Sequence, residues 1–332
     1  MIALTYLALD VCSPVPPPPP QSCDVAPGPS SALHVQKRAV INVTTREYCS
    51  IVSKDLFSLE QLGYVDANRR VSRLLALQDV SAGDVHYVLA NDTHVPVLFA
   101  CSLESVLRTV DNRSRVNVFV VFGIEFERPV LDKQRPVSLS SSLAHLRAAY
   151  GTSRLNVVHV DLKECLDCSP FQGMDLSKSP GFAKFAVQLV LLWQFGGTML
   201  DGRVIAVRGQ VYRATGTAVR YGERTMSAPV ACHEFVYDAM SCAKWYALRY
   251  RTFTPDTVRR IVDKTVAGRR WHEADARPVD DGIVCRGGVI SGRCYYVEAD
   301  RAVSDPDSYV YGFCPAVGGT AIDRKHRGLR SA

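Results

Sequence analysis

Nowhere does this chain run the roughly 20 consecutive apolar residues that a membrane-crossing helix needs. The apolar start, Met1 to Cys12, is far shorter and lacks a basic leader. A secretory version would therefore carry a signal or anchor that is very short or missing from this start. A phosphate-binding P-loop, a Gly-x-Gly-x-x-Gly turn and a Ser/His/Asp hydrolase signature are all absent from the sequence, which sets aside the nucleotide hydrolases, dinucleotide enzymes and triad hydrolases that depend on them. Charge of one sign is scarce too. The net +6 arises from 39 Lys+Arg against 33 Asp+Glu, and the densest basic groups are only Arg269-Arg270 and Arg324 to Arg327. That is a poor footprint for nucleic acid, although it suits an anionic ligand. Cys165-Leu-Asp-Cys168 lacks a second Cys/His pair at zinc spacing and a redox helix around it, so structural disulfide pairing is the expected use.

What the chain does contain is enough apolar material, 47% of 332 residues, to bury one large or two small domains with flexible ends. Eleven cysteines accompany sequons at Asn42-Val-Thr44, Asn91-Asp-Thr93 and Asn112-Arg-Ser114. Together they point to a secretory route with disulfides and glycans. An odd cysteine count leaves at least one thiol unpaired or bonded to another chain.

Pro14, the run Pro16 to Pro20, Pro27 and Pro29 mark residues 1–34 as a disordered, proline-rich spacer. Residues 35–83 read as a stem or N-terminal subdomain, with an amphipathic helix across Asp66 to Leu77. The main domain is expected over 84–325. There Val85–Ala90, Val116–Phe122 and Leu155–Val160 read as strands, with helices over Ser102–Val110 and Leu143–Tyr150 between them. This βαβαβ order predicts a Rossmann-like half. Lys184 to Phe195 is apolar nearly all round, hence an interior helix; Gly196-Gly197 caps it, and the next strand delivers Asp201 to its end. Ligands of open α/β sheets bind beyond the carboxyl ends of the strands, so Asn91, Asp92 and Asp201 should face one crevice.

Two aspartates separated by one residue at a strand end point the same way and can hold a divalent ion against a diphosphate. Here that pattern reads Asp201-Gly202-Arg203. The segment Leu192-Trp-Gln-Phe-Gly-Gly-Thr-Met-Leu-Asp201 resembles the sugar-binding region of the α-1,4-glycosyltransferase family (lactosylceramide 4-α-galactosyltransferase and α-1,4-N-acetylglucosaminyltransferase), whose pattern is Tyr-Gly-Gly-x-Tyr-x-Asp-x-Asp. Upstream, Tyr87 to Asn91, Ala100-Cys-Ser-Leu-Glu-Ser105 and Val116 to Phe122 resemble the family's opening strand, Cys-Ala-Ile-Glu-Ser-Ala helix and second strand. The likeness covers about Val85 to Val207, with a weaker continuation through Asp280 to Val297. It implies an α/β, GT-A-like, Rossmann-type mixed sheet flanked by helices. It also implies retaining transfer of galactose or N-acetylglucosamine from a UDP-sugar to a glycolipid or glycan acceptor in α-1,4 linkage. Manganese on Asp201 and a place in the Golgi lumen or membrane follow from the same likeness. Membrane association would run through a missing or shortened N-terminal anchor, and without an anchor the protein would be secreted.

The departures matter as much. Lys184, Phe185 and Gln188 stand where the family has a Ser-Asp-x-x-Arg motif, and Arg203 replaces the second aspartate. Arg203 beside Asp201 would repel a divalent ion, or it could replace one by gripping a diphosphate through its fork of donors. The plainer alternative is an Asp201–Arg203 ion pair on a loop. His233-Glu234 and Asp280-Asp281 are candidates for the acceptor side, while Trp193 is expected to pack. The competing functional reading is a pseudo-glycosyltransferase that binds glycans or partners without transfer.

Overall fold

The computed structural model describes residues 84–90, 94–110, 114–123, 136–166, 169–176, 179–207, 218–222, 224–231, 233–250, 253–267, 276–278, 284–285, 296–298 and 312–317. The proline-rich segment, the stem with its expected helix, all three sequon asparagines, Cys168, Asn91, Asp92, Asp280 and Asp281 lie outside them.

The element order is β1 (Val85–Ala90), β2 (His94–Pro96), α1 (Val97–Thr109), β3 (Val116–Phe122), β4 (Pro136–Ser138), α2 (Leu139–Tyr150), β5 (Leu155–Asp161), α3 (Leu162–Leu166), α4 (Pro180–Phe195), β6 (Gly197–Leu200), β7 (Val204–Ala206), β8 (Val219–Tyr221), β9 (Thr225–Ala228), α5 (Glu234–Arg249), α6 (Pro255–Ala267), β10 (Ala276–Pro278), β11 (Val284–Cys285) and β12 (Tyr296–Glu298). The main sheet has seven strands in the order β10-β8-β9-β6-β1-β3-β5. Strands β5, β3, β1 and β6 are mutually parallel, β9 runs antiparallel between β6 and β8, and β10 is parallel to β8. The expected mixed, Rossmann-type α/β architecture is therefore present. β7 leaves this sheet and pairs antiparallel with β12, which pairs with β11.

Alternation along the strands builds a core on each face of the sheet. Val85, Tyr87, Val118 and Val120 point into one core, shared with α1 and α2. Val88, Phe119 and Val121 point into the other, shared with α4, α5 and α6. Helix α4 buries residues on every side, Leu189, Leu191 and Leu192 among them, as its all-round apolar pattern requires. Truncating any of these leucines to alanine is worth about 2–5 kcal/mol in lost burial and cavity.

The three expected helices that fall among the described residues, α1, α2 and α4, all begin earlier than their patterns indicate. α1 starts at Val97, directly after Pro96, because Val97 to Ala100 are buried and show no polar stripe to mark a helical face. α2 starts at Leu139, where the Ser138 hydroxyl accepts the Ser141 N–H. α4 gains a first turn with Pro180 at its start, where a missing N–H costs nothing.

The path of the chain places the crevice. From β1 it steps outward to β3 and β5, then returns through α4 to lay β6 on the other side of β1. Connections diverge between β1 and β6, the switch point at whose carboxyl end open sheets bind ligands.

Candidate functional site at the carboxyl end of β6

A glycine pair makes the return to β1 possible. Gly196 (φ 64°) caps α4 by donating its N–H to the Leu192 carbonyl at 2.8 Å. A Cβ there would stand 2.7 Å from the backbone carbon of Val230. Gly197 (φ 77°) lies so near β1 that a Cβ would meet the Asp84 carbonyl oxygen at 2.6 Å and His86 Nε2 at 2.8 Å. Only glycine suits both the conformation and the space. The His86 ring bonds the Gly196 carbonyl through Nε2 at 3.0 Å, and Thr198 N–H donates to the Asp84 carbonyl at 3.0 Å. The helix end is thereby fastened to β1.

Four residues later Asp201 leaves the sheet. Its N–H donates to the Arg224 carbonyl at 2.9 Å, and its own carbonyl accepts the Val204 N–H at 3.0 Å. Its carboxylate closes a tight turn, Oδ1 accepting the Arg203 N–H at 3.0 Å. Gly202 is required inside that turn, since a Cβ would lie 2.5 Å from the Phe99 ring. The other oxygen, Oδ2, accepts from the Lys184 ammonium of α4 at 3.1 Å. The Arg203 guanidinium stands 3.7 Å from Oδ1 and is half exposed.

Burial alone would raise the Asp201 pKa. Lys184 first, then Arg224 and Arg203 together with the Arg203 N–H, overcome it and hold the carboxyl at about 2. The expected Asp201–Arg203 pairing is present, but the nearer partner is Lys184. Neither Lys184 nor Arg224 was recognised as a site cation in the sequence. For Lys184 a signal existed: it is the one charged side chain in the sixteen residues of α4.

Of the candidates for the acceptor side, His233 and Glu234 lie at the start of α5. His233 is buried and caps α5, its Nδ1 accepting the Phe235 N–H at 3.2 Å. It follows β9, whose antiparallel register carries the chain from Thr225 beside Leu200 back to Ala228 beside Gly197, away from Asp201. Glu234 opens the same helix. Trp193 packs against Tyr237 with ring centroids 5.6 Å apart. Phe185 sits in the apolar core against Phe253, 5.5 Å between centroids. A surface cavity of about 240 Å³ lined by Tyr246, Tyr250, Arg260, Asp263 and Lys264 includes none of the strand-end residues.

The Cys101-Ser-Leu-Glu-Ser105 cluster proves to be a structural hub behind the site. Ser102 Oγ donates to the Val204 carbonyl at 2.6 Å, and Ser105 Oγ accepts the Ala206 N–H at 2.9 Å, so α1 holds the strand that follows the Asp201 turn. Cys101 is disulfide-bonded to Cys314. Buried Glu104 accepts the Tyr150 hydroxyl and the N–H groups of Ala316 and Val317 at 2.7–2.9 Å.

A divalent ion at this strand end would need carboxylate oxygens with room for it. Both oxygens of Asp201 already have donors, Lys184 and Arg203 stand 3.1 and 3.7 Å from it, and no group of three or more His, Cys, Asp or Glu is gathered for a metal among the described residues. The described residues do not fit the manganese ion implied by the family likeness.

Fold and site together define an α/β protein with a Rossmann-type mixed sheet and an acidic residue, ringed by cations, at the switch point. A scan of protein-family models and a search of curated proteins match nothing in the chain. Among solved structures it is similar to the galactosyltransferase LgtC in complex with donor and acceptor sugar analogs, at 9% identity and a TM-score of 0.41, over 71% of this chain and 95% of that one. An active-site mutant of LgtC gives 10% and 0.41 over the same shares. The bifunctional glycosyltransferase WbbM in its apo form gives 8% and 0.37, over 73% of this chain and 50% of that one. At these values the likeness assigns neither an activity nor a residue.

Proposed function

We propose that this chain is a glycosyltransferase that binds a UDP-sugar in the crevice beyond β1 and β6 and transfers galactose or N-acetylglucosamine to a glycolipid or glycan acceptor, in α-1,4 linkage with retention. The observation that supports it is the position of Asp201, set by a glycine pair at the end of β6 beside parallel β1, in the segment that resembles the α-1,4-glycosyltransferases. In this reading the bond from the sugar's anomeric carbon to the β-phosphate oxygen breaks, and a bond to the acceptor oxygen forms on the same face. The acceptor's proton passes to a phosphate oxygen, and UDP leaves with its charge balanced by neighbouring cations. Work in the Golgi lumen, or secretion where no anchor is present, belongs to the same proposal.

A second reading, a pseudo-glycosyltransferase that binds glycans or partners, draws on two observations. Asp201 is engaged by Lys184 and the Arg203 N–H, and Phe185 is buried where the resembled family carries a polar group. Measuring UDP release from UDP-galactose and UDP-N-acetylglucosamine with glycolipid and oligosaccharide acceptors separates the two. Acceptor-dependent release supports the enzyme; UDP binding without release from any donor supports the second reading; absence of UDP binding refutes both. An Asp201→Ala variant with full turnover would remove Asp201 from the site.

A further inference from the structure

We infer that the diphosphate site works without a divalent metal: Lys184, assisted by Arg203, supplies the positive charge, and Asp201 is a positioning residue for Lys184 rather than a metal ligand. The inference rests on the UDP-sugar reading above and adds to it how the diphosphate's charge is met.

Three observations carry it. The first is the placement of Lys184. A lysine in the second turn of an otherwise uncharged, core-packed helix is costly to desolvate, and this one keeps only about a third of its side chain exposed (34%) while its ammonium reaches Asp201 Oδ2 at 3.1 Å. A side chain of four flexible carbons is thus held at the carboxyl end of β6. The second is occupancy of the carboxylate. An ion bound to Oδ2 would sit against the Lys184 ammonium, and one bound to Oδ1 would face the N–H and guanidinium of Arg203. Either position sets like charges a few ångströms apart in a half-buried site.

The third observation is the direction of the charge imbalance. Among the described residues Lys184 at 3.1 Å and Arg203 at 3.7 Å both stand against the one carboxylate of Asp201, so the strand end favours a further anion over a further cation. Arg203 is presented on the outer side of the Asp201 turn, half exposed, with its backbone fixed by the bond to Oδ1. A guanidinium so held can take two phosphate oxygens through parallel N–H bonds, and an ammonium suits a third as a point charge. Asp201 then has a different task from a metal ligand. It offsets the cost of keeping Lys184 in the site before the diphosphate arrives and yields the ammonium, wholly or in part, to the incoming phosphate.

The test is UDP binding measured by calorimetry on the whole chain, once in EDTA and once in millimolar manganese, with melting curves to confirm that each variant is folded. The expected dissociation constants agree within about threefold between the two conditions, because the protein's own cations neutralise the phosphates. Lys184→Gln should weaken binding by about tenfold or more in both conditions, the size of a lost charge-assisted hydrogen bond, and Lys184→Arg should restore most of it. Asp201→Asn, which keeps an oxygen acceptor but loosens the hold on Lys184, should weaken UDP binding less than Lys184→Gln does and leave it equally indifferent to manganese. Should Lys184→Gln fail to fold, the EDTA comparison on the parent chain and the Asp201→Asn variant decide alone. Binding that appears only with manganese, or that Asp201→Asn abolishes while Lys184→Gln is silent, overturns metal independence and leaves the UDP-sugar reading standing. No UDP binding in either condition overturns the UDP-sugar reading and this inference together.

Discussion

Acidification should weaken the fold at His86 well before it protonates Asp201. The His86 ring is 1% exposed and uses both nitrogens in its neutral form: Nε2–H donates to the Gly196 carbonyl at 3.0 Å, and Nδ1 accepts from Asn117 Nδ2 at 3.1 Å. Asn117 Oδ1 in turn accepts from Asn156 Nδ2 at 3.0 Å, so the chain of bonds crosses β5, β3 and β1 to the glycine pair. A proton on Nδ1 would face the Asn117 N–H and break that chain. Burial pulls the His86 pKa from 6.5 to about 4, against Asp84 and the Gly196 carbonyl, which favour the charge, and with Arg115, which opposes it. The unfolded chain therefore takes up the proton near 6.5 and the folded chain only near 4. The resulting stability is complete above pH 6.5, falls as pH drops below it, and is gone below about 4. Its size is about 3 kcal/mol, of which about 2 is already lost at pH 5. Urea unfolding at pH 7.5, 6.5 and 5.0 would record the fall, and an NMR titration would follow the imidazole itself. The reasoning is refuted if His86 titrates near 6.5 in the folded protein or if stability is flat from pH 7.5 to 5. Asp201 belongs to a separate, lower window: held at about 2, it contributes stability above its ordinary value of 3.8 that is lost as pH falls through about 2.

Gly197→Ala should cost about 3 kcal/mol or more, because it combines φ 77° with a Cβ 2.6 Å from the Asp84 oxygen. A loss under about 1 kcal/mol in denaturant unfolding would show that β6 can draw away from β1 without penalty. Glu104→Ala should loosen residues 315–317 beyond the Cys101–Cys314 tether by stranding the N–H groups of Ala316 and Val317, at about 3 kcal/mol or more, and protease should then cut there faster than in the parent. Replacing Cys101 and Cys314 by serine opens a cross-link between residues 213 apart in sequence, worth at most about 5 kcal/mol of loop entropy, and should lower the melting temperature of the oxidised protein. An unchanged melting temperature would show that Glu104, with Arg108 donating to the Gly312 and Phe313 carbonyls at 3.2 Å, suffices to hold that segment.

Much of the fold was legible because its signals are local. The continuous apolar run Val116–Phe122 marked a strand buried on both faces, and the all-round apolar Lys184–Phe195 marked an interior helix. Helix starts were less legible, since Val97 to Ala100 are buried on all sides and carry no polar rhythm. Strand order permits the switch-point argument, yet it depends on pairings such as Val85 with Thr198, which no local pattern announces. The site divides in the same way. Asp201 and the glycine pair stand together in the chain and could be read as a unit, whereas the Lys184 contact spans 17 residues and arises only when α4 packs beside β6. Cys101 to Ser105 could be recognised as a motif but not explained as one. Its partners are Tyr87, Tyr150, Val204, Ala206, Cys314, Ala316 and Val317, most of them a hundred or more residues away. Arg203 invited a contest between metal and arginine, and the packing of Lys184 against the same carboxylate favours protein cations.

The most direct test of the central claim, a nucleotide-sugar site at the carboxyl ends of β1 and β6, is a crystal structure of the chain with UDP, grown in EDTA. The account predicts the diphosphate at the Asp201 turn, with phosphate oxygens within hydrogen-bond distance of Lys184 and Arg203. UDP bound elsewhere on the protein, or at the turn without a contact to either cation, would contradict it.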